Sequence, residues 1–244
     1  MTPAVRIFVR FDGVVTNGFV EEALLRRFGW REAAGISFRD LLEGSGLRER
    51  VRNAVESMGR FSITEADGVI DQTSTDVTFP GFVDYCRNNG FSLHLVSDGW
   101  NYAVERVLRR EGVSGLPVSA NMLMVRTESP EGEVTAGIRF PFDDAECDRC
   151  TCCKRNILLA ASGDNDIVCY VGGSPGDECP ARYADIVFAR GVLQTYCQRE
   201  NITHFLFESF RDVQSRLQSL TSRSVLHARR RARMERRAAF LQEA

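Results

Sequence analysis

Lysine is nearly missing from this chain. Of its 31 basic residues one is lysine, Lys154, and the others are arginine. A GC-rich genome accounts for the arginine and leaves the single lysine as a residue to explain. An excess of one charge is missing too: 31 basic against 33 acidic side chains give a net charge of −2. Bulk electrostatics therefore point to neither a nucleic acid nor a membrane surface. No apolar run approaches the ~20 residues that span a bilayer. The opening MTPAVRIFVRFDG has no charged leader, long apolar stretch or small-residue cleavage site, so a cytoplasmic location is expected. There is no internal repeat.

What is present is ordinary in bulk. Hydrophobic residues make up 43% and charged residues 26% of 244. That excludes a disordered chain or a coiled coil as the whole answer and leaves room for one sizeable α/β domain, or a core with a small insert. Cysteine is the exception. There are eight, and Cys147, Cys150, Cys152 and Cys153 fall within CDRCTCC. In a reducing compartment such a cluster reads as metal-binding or redox-active. Cys147 and Cys150 have zinc-knuckle spacing, and four thiolates make a tetrahedral zinc site. Reduced thiols or a disulfide is the other reading, and Glu146 and Asp148 would be poorer ligands. Cys86, Cys169, Cys179 and Cys197 are scattered and read as buried small hydrophobes.

Along the chain, VRIFV is a buried strand that runs into the turn FDG. FVEEALLRRFGW, SFRDLLEGSGLRERVRNAVESM and SITEADGVIDQTS have helical spacing, with Ser37 and Ser62 as candidate N-caps. PGFVDYCRNNG is a helix, FSLHLVSDG a strand and NYAVERVLRREG a helix. Residues 116–142 alternate around SPEGE like a β-hairpin. RNILLAAS, DIVCYVGG, PARYA, DIVFA, GVLQTYCQREN and FESFRDVQSRLQSL then continue the strand-helix alternation. That alternation predicts a parallel sheet covered on both faces. The tail from Ser222 carries seven arginines opposed by Glu235 and Glu243. It reads as a solvated helix end, with contact to an anionic surface or RNA as the minority reading.

In an open α/β sheet, ligands sit beyond the carboxyl ends of the strands. Four such ends are polar here: Arg10-Phe11-Asp12-Gly13 with Thr16, Ser97-Asp98-Gly99, Lys154 after the cysteines, and Gly172-Gly173-Ser174 with Asp177. Each alone is weak; their order, with a helical insert after the first, is specific. On these motifs the chain resembles the haloacid dehalogenase superfamily, in its phosphoserine-phosphatase-like branch. CTCCK and DIVFARGVLQTYCQRENITH make it similar to the methionine-salvage phosphatases of that branch.

The resemblance implies a Rossmann-like α/β core over 1–16 and about 80–221, a helical cap over 17–79 and an Arg-rich tail over 222–244. The hairpin near 118–142 would be an accessory flap at the edge of the site. It also implies roles. The first motif normally begins with a nucleophilic aspartate that ligates magnesium; its second aspartate is the acid and base and lends a backbone carbonyl to the metal. A Ser or Thr binds phosphate, a Lys neutralises charge, and the last motif supplies acidic magnesium ligands. In this chain the acid/base position is Asp12, the phosphate positions are Ser97 and Lys154, and Asp177 is a residual metal position. The nucleophile position is Arg10, and one metal-ligand position is Gly173.

Guanidinium stays protonated and cannot accept a phosphoryl group, and magnesium needs hard oxygen ligands. An inactivated site kept as scaffold is one expectation. The sharper one is that Arg10 replaces the metal, pairs with Asp12 and Asp177, and with Ser97 and Lys154 holds an anionic or phosphorylated small molecule, no magnesium being expected. A divergent enzyme that uses Asp12 as acid/base, and a scaffold protein that uses the tail, are the alternatives. Asp98 is either part of the anion site or, preferred, the N-cap of the helix that follows. His94 reads as a core histidine, and Asp164 and Asp166 as turn residues at the far end of the sheet. A homodimer is left open.

Overall fold

The computed structural model describes residues 3–29, 46–129, 132–147, 149–223 and 226–242. Ser37 and Asp148 lie outside the described residues, so neither reading is assessed. In chain order come β1 (Val5–Arg10), a wide turn (Phe11–Val15), α1 (Val20–Phe28), α2 (Leu47–Glu56), β2 (Phe61–Ser62), α3 (Ile63–Asp71), α4 (Phe79–Asn88), β3 (Ser92–Trp100) and α5 (Asn101–Arg110). They are followed by β4 (Val118–Thr127), β5 (Glu133–Arg139), α6 (Lys154–Ala160), β6 (Ile167–Gly172) and α7 (Glu178–Tyr183). The last elements are β7 (Ile186–Ala189), α8 (Gly191–Arg199), β8 (His204–Leu206), α9 (Phe210–Ser222) and α10 (Arg230–Gln242). Ser62 caps α3, its hydroxyl accepting from the Glu65 N–H at 3.3 Å.

The strands form one mixed sheet in the order β2-β5-β4-β3-β1-β6-β7-β8. The six from β4 to β8 are parallel, as strand-helix alternation requires. The two outer strands are antiparallel, β5 through the hairpin read over residues 116–142. The cause is the length of β4. Its first residues pair with β3, Val118 against Leu95, and from Met122 onward it pairs with β5. The hairpin is therefore an extension of the sheet rather than a separate flap. Phe61 of β2 pairs with Val134 of β5, which ties the helical segment before it to this hairpin.

β1 lies at the centre with both faces covered, and its side chains divide with period two. Ile7 and Val9 join a core with Phe82 of α4, Val104 of α5 and Phe210 of α9. Phe8 joins the other, with Leu158 of α6, Ala181 of α7 and Leu193 of α8. Burial on both faces makes the centre of β1, Ile7 to Val9, apolar.

The tail is not a solvated helix end. Met234, Phe240 and Leu241 of α10 are exposed while the small Ala232 and Ala239 are buried, so no large apolar side chain holds this helix. Arginine does. Arg236 is 2% exposed and bonds both carboxylate oxygens of buried Asp185, at 3.0 and 3.3 Å. The Arg229 backbone N–H also donates to Asp185, at 2.9 Å. Asp185 precedes β7, and its position became visible only when the chain folded back on it.

Candidate functional site

Register brings the motifs together. Arg10 of β1 pairs with Val96 of β3, and Val9 with Val171 of β6. Ser97, Asp98 and Gly173 therefore emerge beside Arg10 at one edge of the sheet. The turn after β1 reverses at Gly13, whose φ of 69° belongs to the left-handed region that glycine tolerates. Thr16 closes this turn, its hydroxyl donating to the Gly18 carbonyl at 2.7 Å.

Arg10 is the hub. Its Nε donates to the backbone carbonyl of Asp12 at 2.9 Å, and its Nη1 lies 3.2 Å from both Asp177 Oδ1 and Asp98 Oδ2. The guanidinium also sits 5.9 Å from the centre of the Phe19 ring. It is 2% exposed. Burial alone would weaken its charge, yet the carboxylates of Asp177, Asp98 and Asp12 hold it more firmly protonated than usual.

Asp177 is saturated. Its Oδ1 accepts from Arg10 and from the Tyr170 hydroxyl at 2.6 Å, and its Oδ2 accepts from the N–H groups of Gly173 and Ser174 at 2.8 and 2.9 Å. Burial opposes its charge, but Arg10, Lys154 and these donors outweigh burial and keep its pKa below the usual value.

Asp98 does not cap α5: Trp100 occupies the cap position without a side-chain bond. Instead its carboxylate joins the buried Lys154 ammonium, Arg10 and the Cys152 N–H. The structure thus places Asp98 on the two cations expected to receive an anion. Gly176 closes over this group; a Cβ there would lie 3.3 Å from Asp98, 3.4 Å from Arg10 and 3.6 Å from Lys154. Lys154, 1% exposed, keeps its charge against burial because Asp98 adjoins it.

Asp12 accepts the Ser97 hydroxyl at 2.6 Å on Oδ2, and its buried Oδ1 has no hydrogen-bond partner. Burial raises its pKa, more than Arg10 and Ser97 lower it. Glu21, absent from the sequence reading, approaches from α1. It accepts the Trp100 N–H at 3.0 Å, and burial followed by the charge of Asp12 pushes it up to about 8. Gly99 separates the two acids; a Cβ there would come within 2.2 Å of Glu21 Oε1 and 3.0 Å of Asp12 Oδ1. The signal for Glu21 was in the sequence: it lies on the apolar stripe of α1, three and four residues before Leu24 and Leu25. Tyr170 carried no such signal, being one aromatic in an apolar strand. Asn121 and Thr151 were missed as well; they bond one another and the Asp98 carbonyl.

The four clustered cysteines do not all converge. Cys152 is fully buried, its thiol turned toward the Ser119 carbonyl at 3.6 Å. Cys147, Cys150 and Cys153 line a cavity of about 460 Å³ together with Cys179, which is half-buried and not a core residue. Among the described residues no group of three or more His, Cys, Asp or Glu is arranged to hold a metal ion. His94 is half-buried against Ser119 Oγ at 3.0 Å. Asp166 pairs with Arg6 at 2.9 Å, and Asp164 lies 3.4 Å from Arg237. No helix among the described residues is long and apolar enough to cross a membrane.

No family model matches the chain. The 2-hydroxy-3-keto-5-methylthiopentenyl-1-phosphate phosphatase of Bacillus cereus (strain ATCC 10987 / NRS 248) is 27% identical over 222 residues, spanning 89% of this chain and 97% of that protein. Among solved structures, apo phosphoserine phosphatase superposes with a TM-score of 0.63 at 18% identity, covering 88% of this chain and 98% of its own. Its substrate-bound complex gives 0.65 at 18% identity, covering 90% and 99%. The mixed sheet, its order of motifs and these likenesses agree: the chain has the fold of the phosphoserine phosphatases and resembles the phosphoserine-phosphatase-like branch of the haloacid dehalogenase superfamily.

Proposed function

We propose that this protein is a phosphatase homologue without magnesium-dependent turnover, which binds an anionic, phosphorylated small molecule beside a site that its own side chains neutralise. The observation that carries this reading is the placement of Arg10, whose guanidinium bonds the Asp12 carbonyl and the Asp177 carboxylate at once. Those are the two oxygens that the resemblance would give to magnesium. Gly173 offers no side-chain oxygen, and the nucleophile position is itself the cation. These residues do not fit a magnesium ion, which needs several hard oxygen ligands in near-octahedral array. Loss of a nucleophile from such a concerted unit costs on the order of 10⁴–10⁶ in rate.

Asp98 sets how an anion enters. Its carboxylate sits on Arg10 and Lys154 as an oxyanion would, so a phosphate must displace it or bind outside it. The adjoining cavity offers Arg149 and Arg155 for charge, and Phe19, Leu47 and Val192 for an apolar moiety. Helices α1 to α3, within the 17–79 segment, act as the cap. The eight free thiols suit the reducing cytoplasm.

A second reading rests on Asp12. Its raised pKa, the Ser97 hydroxyl on one oxygen and no partner on the other describe a group able to hold and deliver a proton. On that reading Arg10 orients an anionic substrate and Asp12 serves as acid/base.

The test is thermal melting with magnesium, inorganic phosphate and a panel of phosphorylated metabolites, with phosphate release assayed on the same samples. Ligands that bind the native state raise Tm by mass action. Phosphate is expected to raise Tm and magnesium to leave it unchanged, without phosphate release. Magnesium-dependent stabilisation with turnover overturns the proposal. Turnover without magnesium that Asp12→Asn abolishes establishes the second reading.

A further inference from the structure

The cysteine-lined cavity contains groups that the anion site does not use. Cys150 and Cys153 have C-x-x-C spacing, and both line it. Their side chains adjoin, the Cys150 thiol toward the Cys153 sulfur. The Cys153 thiol in turn faces Asp144 Oδ2 at 3.8 Å, and Asp144 is fixed by Arg155 at 2.7 Å and Asn156 at 3.1 Å. Two adjoining thiols three residues apart on one cavity wall need little backbone movement to join. We propose that Cys150 and Cys153 form a redox-active dithiol, oxidised to a disulfide by an anionic low-molecular-weight disulfide that enters this cavity.

The cavity supplies charge for such a reagent. Arg149 and Arg155 line it beside Arg10 and Lys154, which Asp98 already pairs, and cations on a cavity wall attract an anionic disulfide. The contact between the thiols also divides their roles. Donation from Cys150, with the Asn156 N–H and Arg155, favours the thiolate of Cys153 despite its burial; the same contact, then burial, disfavours that of Cys150. Cys153 loses its proton to solvent and attacks one sulfur of the reagent, whose other half leaves as a thiolate. Cys150 then loses its proton and attacks the Cys153 sulfur of the mixed disulfide, expelling the second half. Two protein thiols become one disulfide, and one reagent disulfide becomes two thiols.

The dithiol also adjoins the motif lysine. Between the pair, the Thr151 hydroxyl and the Cys152 N–H bond Asp98, and Lys154 follows Cys153 directly. Drawing the two sulfurs into a bond acts on the loop that holds Asp98 over the cations.

The experiment treats the full-length reduced protein with glutathione disulfide and follows thiols by alkylation and peptide mass spectrometry. The expected result is a peptide linking Cys150 to Cys153, with two equivalents of glutathione released per chain. Cys150→Ser is expected to stop at a stable glutathione adduct on Cys153, while Cys147→Ser still forms the link. Melting of each variant confirms folding. Three results overturn the proposal: Cys150 and Cys153 remain reduced; the link that forms joins another pair, such as Cys147 and Cys179; or the purified protein carries zinc stoichiometrically and its thiols react only after the metal is chelated. None of these outcomes depends on phosphate or magnesium, so failure here and failure of the anion-site reading are separate.

Discussion

Arg10 and Asp177 lie 3.2 Å apart with side chains 3% and 0% exposed, a buried ion pair between positions that the family resemblance assigns to metal chemistry. In a buried pair each charge is costly alone and tolerable together. The pair is therefore a commitment: neither residue changes without stranding the other.

Arg10→Asp should not restore phosphatase activity. It would set a carboxylate among Asp12, Asp98 and Asp177 with Lys154 the remaining buried cation, and Gly173 would still lack a ligand. The expected outcome is no magnesium-dependent phosphate release, together with destabilisation of about 3–5 kcal/mol in denaturant melts. Measurable magnesium-dependent turnover in this single variant would refute the expectation.

Asp98→Gly should strengthen phosphate binding and weaken the free protein. Removing the carboxylate strands Lys154, fully buried beside Arg10, at a cost of about 3–5 kcal/mol. Inorganic phosphate replaces the lost charge, so the phosphate-induced rise in Tm should exceed that of the unaltered protein. An equal or smaller rise would show that Asp98 does not compete with the anion.

Glu21 should make the protein less stable as pH rises toward 8. Its pKa is raised from 4.5 to about 8 in the fold, by burial first and Asp12 second. A carboxyl with a raised folded pKa stabilises fully below its unfolded value, and that contribution declines until pH passes the folded value. The limiting slope for one proton is about 1.4 kcal/mol per pH unit. Glu21→Gln should flatten the dependence of stability on pH between 5 and 8. Asp98 and Asp177 act in the opposite sense and at lower pH: their lowered pKa values give stability above the unfolded value that is lost on acidification.

Asp185→Ala should release the C-terminal helix. The Arg229 N–H loses its acceptor and Arg236 keeps the Tyr183 carbonyl alone of the two partners, while the large apolar side chains of α10 are exposed. Limited proteolysis should cut after about residue 223 faster than in the unaltered protein and before the sheet, where the Val168 N–H also loses Asp185. Unchanged cleavage would mean that the remaining arginine contacts suffice.

Much of the fold was legible because it rests on periodicity. β1, α4, β3, α5 and β6 are short apolar strands and amphipathic helices in alternation, and that pattern admits few topologies. The hairpin was legible but not its join to the sheet: one ten-residue strand serves two partners, and alternation of side chains is the same whether the neighbour is parallel or antiparallel. The site was legible where a motif has fixed spacing from a strand end, as for Arg10, Asp12, Ser97, Lys154 and Asp177. It was not legible where a residue matters through a neighbour distant in sequence. Cys179 joins Cys147, Cys150 and Cys153 only because α7 begins beside the loop before α6, and Cys152 leaves them because consecutive side chains point in different directions.

By itself the sequence determined the class of fold, the order of the motifs and the residues, Arg10 and Gly173 among them, that stand at the strand ends. These depend on residue identity and local spacing. Tertiary structure alone decided what the charged residues touch: Arg10 on the Asp12 carbonyl and Asp177, Asp98 on Lys154, Arg236 on Asp185. A charge is defined by its surroundings once it leaves water, and those surroundings come from strands and loops far apart in the chain.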